Sequence, residues 1–534
     1  MDRRALLTAG LAPLAPPRAA RRDDEPLSPR ERAVHLLSRL GFGPRPGDVE
    51  RLLEQGEEDW LEEQLAVPAD PGLDARLEAW PFLGLSCREL YERYDGSRGR
   101  TLSNEERRQA EIRRSNLRRE FLRATLARMV FARAQLREVL VDFWRNHFNV
   151  SYTKGNPSPL LIPDWDRRVI RAHALGHFGD MLVASAHHPA MLHYLDNAAS
   201  RRPPTSQELA EIERRVRRDT GSREAGRAAA DLALQRGLNE NYARELLELH
   251  TLGVDRFYDQ EDIVALAEIL TGWTWDPSAD GTWDFSFRQD MHQAGSKRFL
   301  GQRIQGEPEK GKQEGDEVLA LLREHKGTSE FVAEKLVRHL VRDDPPSRLV
   351  SAVARSFRRS DGDTGEMLRT VVDSEEFWSR ASYRAKFRTP QEFVVAALRA
   401  SDARVEEWDA LLERLEDMGQ PLYQCDDPTG WYDTAEAWLD PGVMAQRWLF
   451  ARDLVEDRIE GVRLSEEVFD DVGDEVPFGA WPDRLAARFV PAGVGNRTWR
   501  ALAGAIAEDP DALPYLLRLR LLALLLGSPE FQRQ

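Results

Sequence analysis

Residues 104–149 read NEERRQAEIRRSNLRREFLRATLARMVFARAQLREVLVDFWRNHFN, and this run decides the fold class. A polar start from Asn104 to Gln109 leads into Phe121, Leu122, Leu126, Met129 and Val130, then Leu136, Val139, Leu140 and Phe143. Apolar residues recurring at three- and four-residue steps turn one face of a helix toward a core. The run predicts one or two long helices. The same period continues outward from it. Val34, Leu37 and Leu40 to Phe42 form one stripe; Val49, Leu52, Leu53, Trp60, Leu61 and Leu65 form another, interrupted at Gly56. Further helices are predicted over 164–176, 178–186, 205–218, 223–235, 239–252, 260–271, 314–324, 328–342, 345–359, 363–373, 389–400, 403–417, 434–455, 479–490, 498–507 and 510–526. Thr389-Pro390 marks a helix start and Gly253 a helix end.

One segment departs from this period. Thr282 to Phe287 alternates behind the turn pair Asp280-Gly281, which predicts a small β-hairpin near 273–287 as the one sheet of note. The Arg/Glu-rich stretch 201–227 reads as a surface insertion. The fold class is therefore mostly α, a large multi-helix assembly. It is expected as one helical domain over 28–534, with two lobes at 28–302 and 315–534 as a subdivision.

Composition narrows the function classes. The chain has 534 residues, 41% of them hydrophobic, with 14 Trp and 21 Phe, enough for a substantial core. Its 75 basic against 91 acidic residues give a net charge of −16, which argues against a sequence-independent nucleic-acid binder. The cations are almost all Arg; only seven are Lys. Cys87 and Cys425 lack the paired spacing of a zinc or redox motif and read as two separate thiols, with one disulfide between them as the alternative. No apolar run reaches the roughly 18 residues of a transmembrane span. Leu516 to Leu526, broken by Arg518 and Arg520, reads as a core helix. Residues 1–27 differ in kind: Arg3-Arg4, an apolar stretch from Ala5 to Ala15 and a small-residue exit at Ala19-Ala20 have the layout of an export signal, with paired arginines resembling a twin-arginine start. The expectation is a periplasmic or secreted protein; the alternative is a disordered basic terminus.

Three strings could carry chemistry. Asp142 to Val150 holds Asn146 and His147 between aromatics, and imidazole serves as proton carrier, metal ligand or packing residue. His187 to Asn197 holds three histidines, but adjacent His187 and His188 point apart on any regular element. Asn239 to Gly253 places Glu245 and Glu248 three apart on one helical side, with Glu240, Arg244 and Glu248 on the adjacent one. Two such carboxylates can hold a divalent metal or share acid and base roles. The competing reading is an Arg244 clamp that satisfies Glu240 and Glu248 in a structural network. A metal would need a further ligand, and His147 and His292 are the candidates. No Gly-rich phosphate loop, His-Glu-x-x-His string or Gly-x-Ser-x-Gly elbow is present.

Taken together, these strings resemble the bacterial family known as Domain of Unknown Function 1800, over roughly residues 28–534. The resemblance rests on His35 to Gly43, Phe143 to Phe148, His188 to Asn197, Asn239 to Gly253, Leu270 to Trp273, and His292 with Gly295 and Lys297. It also rests on Phe299 to Gly301, Gly419 to Pro421 with Pro428, Gly430 and Trp431, and Ser528 to Gln532. It implies export by a twin-arginine signal and a co-encoded, exported sulfatase-like partner, and it brings no activity with it. Gln293 stands where the family's pattern puts Asp after the His, which weakens a metal role for His292. Two functions from different classes follow. One is an exported enzyme with a His/carboxylate cleft, in which His147, Asn146, Arg244, Glu245 and Glu248 are the catalytic candidates and Glu245, Glu248, His147 and His292 the metal ligands, for metal-assisted hydrolysis or oxidation. The other is a non-catalytic scaffold or accessory protein for a secreted enzyme or polysaccharide, with the same residues as a buried polar network.

Overall fold

Helix starts are set by one recurring device. Ser28 with Glu31, Ser86 with Glu89, Ser103 with Glu106, Thr205 with Glu208, Asp259 with Asp262 and Thr389 with Glu392 each form a reciprocal capping box. Each box satisfies two backbone N–H groups that a helix start otherwise leaves unpaired. The computed structural model describes residues 25–97, 99, 101–235, 237–473, 475–508 and 513–534. The Arg3-Arg4 export segment lies outside the described residues.

The 104–149 run forms two helices, Asn104–Phe131 and Gln135–His147. Gln135 explains the break. Its Nε2 donates to the carbonyls of Met129 (3.1 Å) and Ala132 (2.9 Å), and its Oε1 accepts from Phe42 N (3.1 Å). One side chain thus closes the first helix and ties it to the N-terminal segment. The second long helix of the centre, Pro390–Ala400, packs against Asn104–Phe131 and is buried at every residue but Glu392. Its Arg399 is matched by the carbonyls of Gly43 and Val130, each at 2.9 Å, which is what a guanidinium needs to be tolerated in a core.

Most predicted helices are present within a few residues, and the protein is mostly α. The predicted hairpin forms, with Trp273–Trp275 antiparallel to Phe285–Phe287. Two further two-stranded ribbons correct the expectation of a single sheet: Lys297–Phe299 with Gln302–Ile304, and Arg404–Val405 with Val462–Arg463. The first turns on Leu300 and Gly301, both at positive φ (46° and 76°), a two-residue hairpin turn. The second takes residues 404–405 out of the predicted 403–417 helix, which begins instead at Asp409. The predicted 434–455 helix is also shortened to Pro441–Val455, because Asp440 caps it and Pro441 cannot continue a helix from before it.

Two helices widen into π turns, Asp166–Arg171 after Ser158–Trp165 and Leu246–Thr251 after Asn241–Glu245. In the first, Arg171 Nε reaches Asp166 Oδ2 at 2.8 Å, a five-residue step that suits π spacing. Buried apolar side chains from Ala33 to Phe531 form one cluster, and Gly311–Glu324 packs on Phe178–His187 across the 303–310 connection. The late Leu-rich stretch is the helix Pro514–Leu526, and among the described residues no helix is long and apolar enough to cross a membrane.

Candidate functional site

Asn146 and His147 end the helix Gln135–His147 and do different work. The Asn146 amide grips the backbone of Trp431 from both sides, Nδ2 donating to its carbonyl (2.8 Å) and Oδ1 accepting from its N–H (2.7 Å). Gly430 must be glycine here: at φ +79° a Cβ would lie 2.5 Å from Asn146 O and Oδ1. His147 sits among rings, with centroids of Phe148 at 4.6 Å, Trp144 at 5.5 Å and Phe178 at 6.1 Å. Its Nε2 donates to the His250 carbonyl at 3.1 Å, and burial pushes its pKa well below the usual value. Nδ1 therefore carries a lone pair, and it is buried with no partner.

The two strings singled out in the sequence thus touch, through His250 rather than through the carboxylates. Arg244 reaches Glu240 (3.4 Å), Glu248 (3.3 Å) and Gln260 (3.0 Å) on a partly exposed surface, so the clamp forms outside the core. Glu245 takes no part in it. Burial, then the like charges of Glu248 and Asp427, push its carboxyl up to about 7. His292 is elsewhere, in a buried chain: Nδ1 meets the Thr271 carbonyl at 2.9 Å, Nε2 faces Glu314 at 3.5 Å, and Lys297 pairs with Glu314 at 2.8 Å. That chain braces the two hairpins against the helix Gly311–Glu324.

Among the described residues, ligand atoms close enough to share a cation occur only in Cys87, Asp164 and His188, and Glu245, Glu248, His147 and His292 form no such set. The Cys87 group does not suit a metal. The Cys87 backbone N–H and thiol both lie 3.3 Å from Asp164 Oδ2, and Arg167 and Arg168 hold the same carboxylate. His188 Nδ1 accepts the Ala190 N–H at 3.1 Å, which leaves the proton on Nε2, facing Asp164 at 3.5 Å. A metal would need that nitrogen's lone pair beside two guanidinium charges. Burial opposes ionisation of Asp164, yet His188 and the two arginines bring it down to about 2. Burial and that carboxylate push the Cys87 thiol well up, so it stays protonated. The group is an anion with its donors gathered round it. Cys425 is likewise a free, buried thiol.

A cleft of about 270 Å³ opens where Gln135–His147 ends, Pro390–Ala400 begins and the loop 420–434 crosses. Asn146, His147 and Asn149 line it; Glu245, Glu248 and His292 do not. Its three carboxylates are already engaged. Asp142 pairs with Arg145, Asp433 with His339 (3.1 Å) and Lys386 (3.1 Å), and Glu392 caps its own helix and accepts from Gln534 (2.7 Å). Its donors are not. Arg145 Nη1 and Gln391 Nε2 are buried without a partner, and Lys335 Nζ has neither a carboxylate nor a hydrogen-bond acceptor among the described residues. Burial, reinforced by Arg338 and opposed by Asp433, takes Lys335 down to about 8. Burial works against Arg145 too, but Asp142, Tyr423 and Asp166 more than offset it and keep it charged. Trp431 stands on the wall and Tyr432 at the rim, 64% exposed.

A family model described as "Protein of unknown function (DUF1800)" matches residues 35–533. The chain belongs to that family. No curated protein and no solved structure matches it. For this DUF1800 chain, sequence reading found Asn146 and His147 on the cleft but missed Lys335, Arg145, Gln391 and Tyr432. The signal for Lys335 was present: in an Arg-rich chain a lysine is scarce. Arg145 lay inside a quoted string and passed as a flank, because its partners Asp142, Tyr423 and Gln391 come from three separate segments.

Proposed function

We propose that the cleft between His147, Lys335 and Trp431 is the working site of this protein and takes a small organic anion. One observation carries the reading: Arg145 Nη1, Gln391 Nε2 and Lys335 Nζ line one cleft as donors without acceptors. A buried donor left unpaired costs on the order of 1–3 kcal/mol, so the two buried ones, Arg145 Nη1 and Gln391 Nε2, with the partly exposed Lys335 amine on the same cleft, favour a ligand that accepts from them. A carboxylate or phosphate does so, and the flanking Trp431 and Tyr432 offer apolar surface to the rest of the molecule.

The test is calorimetric titration of the full chain with acetate and inorganic phosphate, on wild type and Lys335→Met. Binding of one anion, weakened about tenfold or more in the variant, is expected, equivalent to about 1.4 kcal/mol. No binding of either anion, or equal binding by both proteins, overturns the reading.

Export is proposed on the Arg3-Arg4 layout. Residues 1–30 fused to a folded reporter should carry it across the inner membrane, and a change of Arg3-Arg4 to Lys-Lys should retain it. A reporter that stays inside with the unaltered segment counts against export. The sulfatase-like partner is proposed on family resemblance alone, and co-purification of the two proteins tests it.

A further inference from the structure

We propose that Lys335 is an amine nucleophile, forming an imine with the carbonyl carbon of an acidic aldehyde or ketone held in the cleft. The inference rests on the anion reading above and adds the reacting group. The chain has seven lysines. Six are ion-paired: Lys154 with Asp196 (2.7 Å), Lys297 with Glu314 (2.8 Å), Lys310 with Glu307 (2.8 Å), Lys312 with Asp316 (2.5 Å), Lys326 with Glu330 (3.2 Å) and Lys386 with Asp343 (2.6 Å). Lys335 alone has no carboxylate within reach among the described residues. A lysine held as a plain structural cation would be expected to have one, as the other six do.

Its surroundings suit a neutral amine. Nζ lies 5.5 Å from the Phe331 ring centroid, and the helix Lys326–Leu340 places Arg338 one turn further along on the cleft wall. Burial and the neighbouring guanidinium favour loss of the ammonium proton and outweigh the attraction of the Phe331 ring face for the cation. Arg338 itself is occupied by Glu334 at 2.7 Å, and His339 by Asp433, so Lys335 is the free amine on this face. Arg145 and Gln391 supply donors for the acid group of the substrate, which leaves its carbonyl to the lysine.

The step balances without an oxidant or a second substrate. The amine lone pair attacks the carbonyl carbon, a C–N bond forms, and the C=O π pair moves to oxygen, which takes up a proton. The carbinolamine then loses water. Both amine hydrogens leave with that oxygen, and a C=N bond remains. Protonated again by solvent, the imine withdraws electrons from the adjacent carbon more strongly than the free carbonyl did.

The experiment is reductive trapping of the full chain with glyoxylate and borohydride, with acetaldehyde as the neutral comparator, followed by intact mass and peptide mapping. Lys335→Arg keeps the cation and serves as the control that preserves packing. Expected is a single glyoxylate adduct on Lys335, absent from Lys335→Arg, formed faster as the pH rises through about 8 and slowed at least tenfold by excess acetate. Acetaldehyde should label the same residue more slowly, without protection by acetate. Labelling spread over the paired lysines, or equal in Lys335→Arg, overturns the imine. Failure of the anion reading shows separately: glyoxylate and acetaldehyde would then label Lys335 alike and acetate would protect against neither.

Discussion

Lowering the pH from 7 to 5 should destabilise this protein by an amount set by its buried imidazoles. His35, His147, His188 and His250 are each at most 3% exposed, and burial is the main reason each is held neutral. A group whose folded pKa lies below its unfolded value binds fewer protons in the fold. Its contribution is complete above the unfolded value of about 6.5 and is lost as the pH falls below it. His35 and His250 are lowered to about 3, so the fall from about pH 6.5 to 5 lies wholly inside their window. Each then costs about 2 kcal/mol, from about 1.4 kcal/mol per pH unit. Burial shifts His147 and His188 in the same direction, opposed at His188 by the Asp164 carboxylate. Glu245 works in the other direction. Its folded value near 7 exceeds its unfolded one, so it takes up a proton in the fold and gains stability as the pH falls toward 4.5. Solvent screening at this half-buried group keeps that gain below about 2 kcal/mol. His35 and His250 together lose about 4 kcal/mol and Glu245 returns less than about 2, so the net loss is at least about 2 kcal/mol against the roughly 5–15 kcal/mol that holds a typical protein together. Urea unfolding at both pH values, on wild type, His250→Asn and Glu245→Gln, measures it. His250→Asn should shrink the difference between the two pH values by about 2 kcal/mol, whatever it does to stability at pH 7, and Glu245→Gln should enlarge it. Equal midpoints at pH 7 and 5 for wild type, or an unchanged pH difference in His250→Asn, would refute the reasoning.

Asp164→Asn removes the anion that gathers Cys87, His188, Arg167 and Arg168, and should cost about 3–5 kcal/mol in chemical denaturation, while added zinc leaves the wild-type melting temperature unmoved. Asn146→Ala breaks both bonds to Trp431 and should cost about 1–3 kcal/mol, with a red shift of tryptophan emission as the loop loosens. Arg244→Ala should change stability by less than about 1 kcal/mol, because its ion pairs are at the surface. Gly315→Ala would set a Cβ 2.0 Å from Trp273 Cζ2, and the overpacking should lower stability by about 1–3 kcal/mol in a thermal melt.

Helices were legible because their signals are local. Ser103 with Glu106 and the stripe from Phe121 to Val130 lie within one segment, and so does the alternation that foretold the 273–287 hairpin. The ribbon of Arg404–Val405 with Val462–Arg463 was not legible, since its two short strands are brought together by tertiary packing and neither carries a strand pattern. Leu300-Gly301 was quoted as a motif yet its turn chemistry went unread. The site divides in the same way. Asn146 and His147 were picked out by residue type, but the partner that gives Asn146 its role, Trp431, is 285 residues away. Glu245 and Glu248 were read as one face of a regular helix, and the π turn from Leu246 changes the angular steps on which that reading depends. Lys335 is distinguished by what its neighbours lack, which only coordinates can show.

The insertion read from 201–227 stands out from the core as a helical pair, Ser206–Thr220 and Arg223–Gln235, and no side chain of the first helix is buried. Its two ends meet at a narrow neck, where Arg201 N donates to the Gly237 carbonyl at 3.3 Å and Asn239 N to Ser200 Oγ at 3.2 Å. Because entry and exit are already joined, the closure entropy of whatever lies beyond the neck varies only slowly with its length. The arm is therefore a place where this chain tolerates splicing: a short turn, an affinity tag or a whole folded module could replace it without asking the core to move.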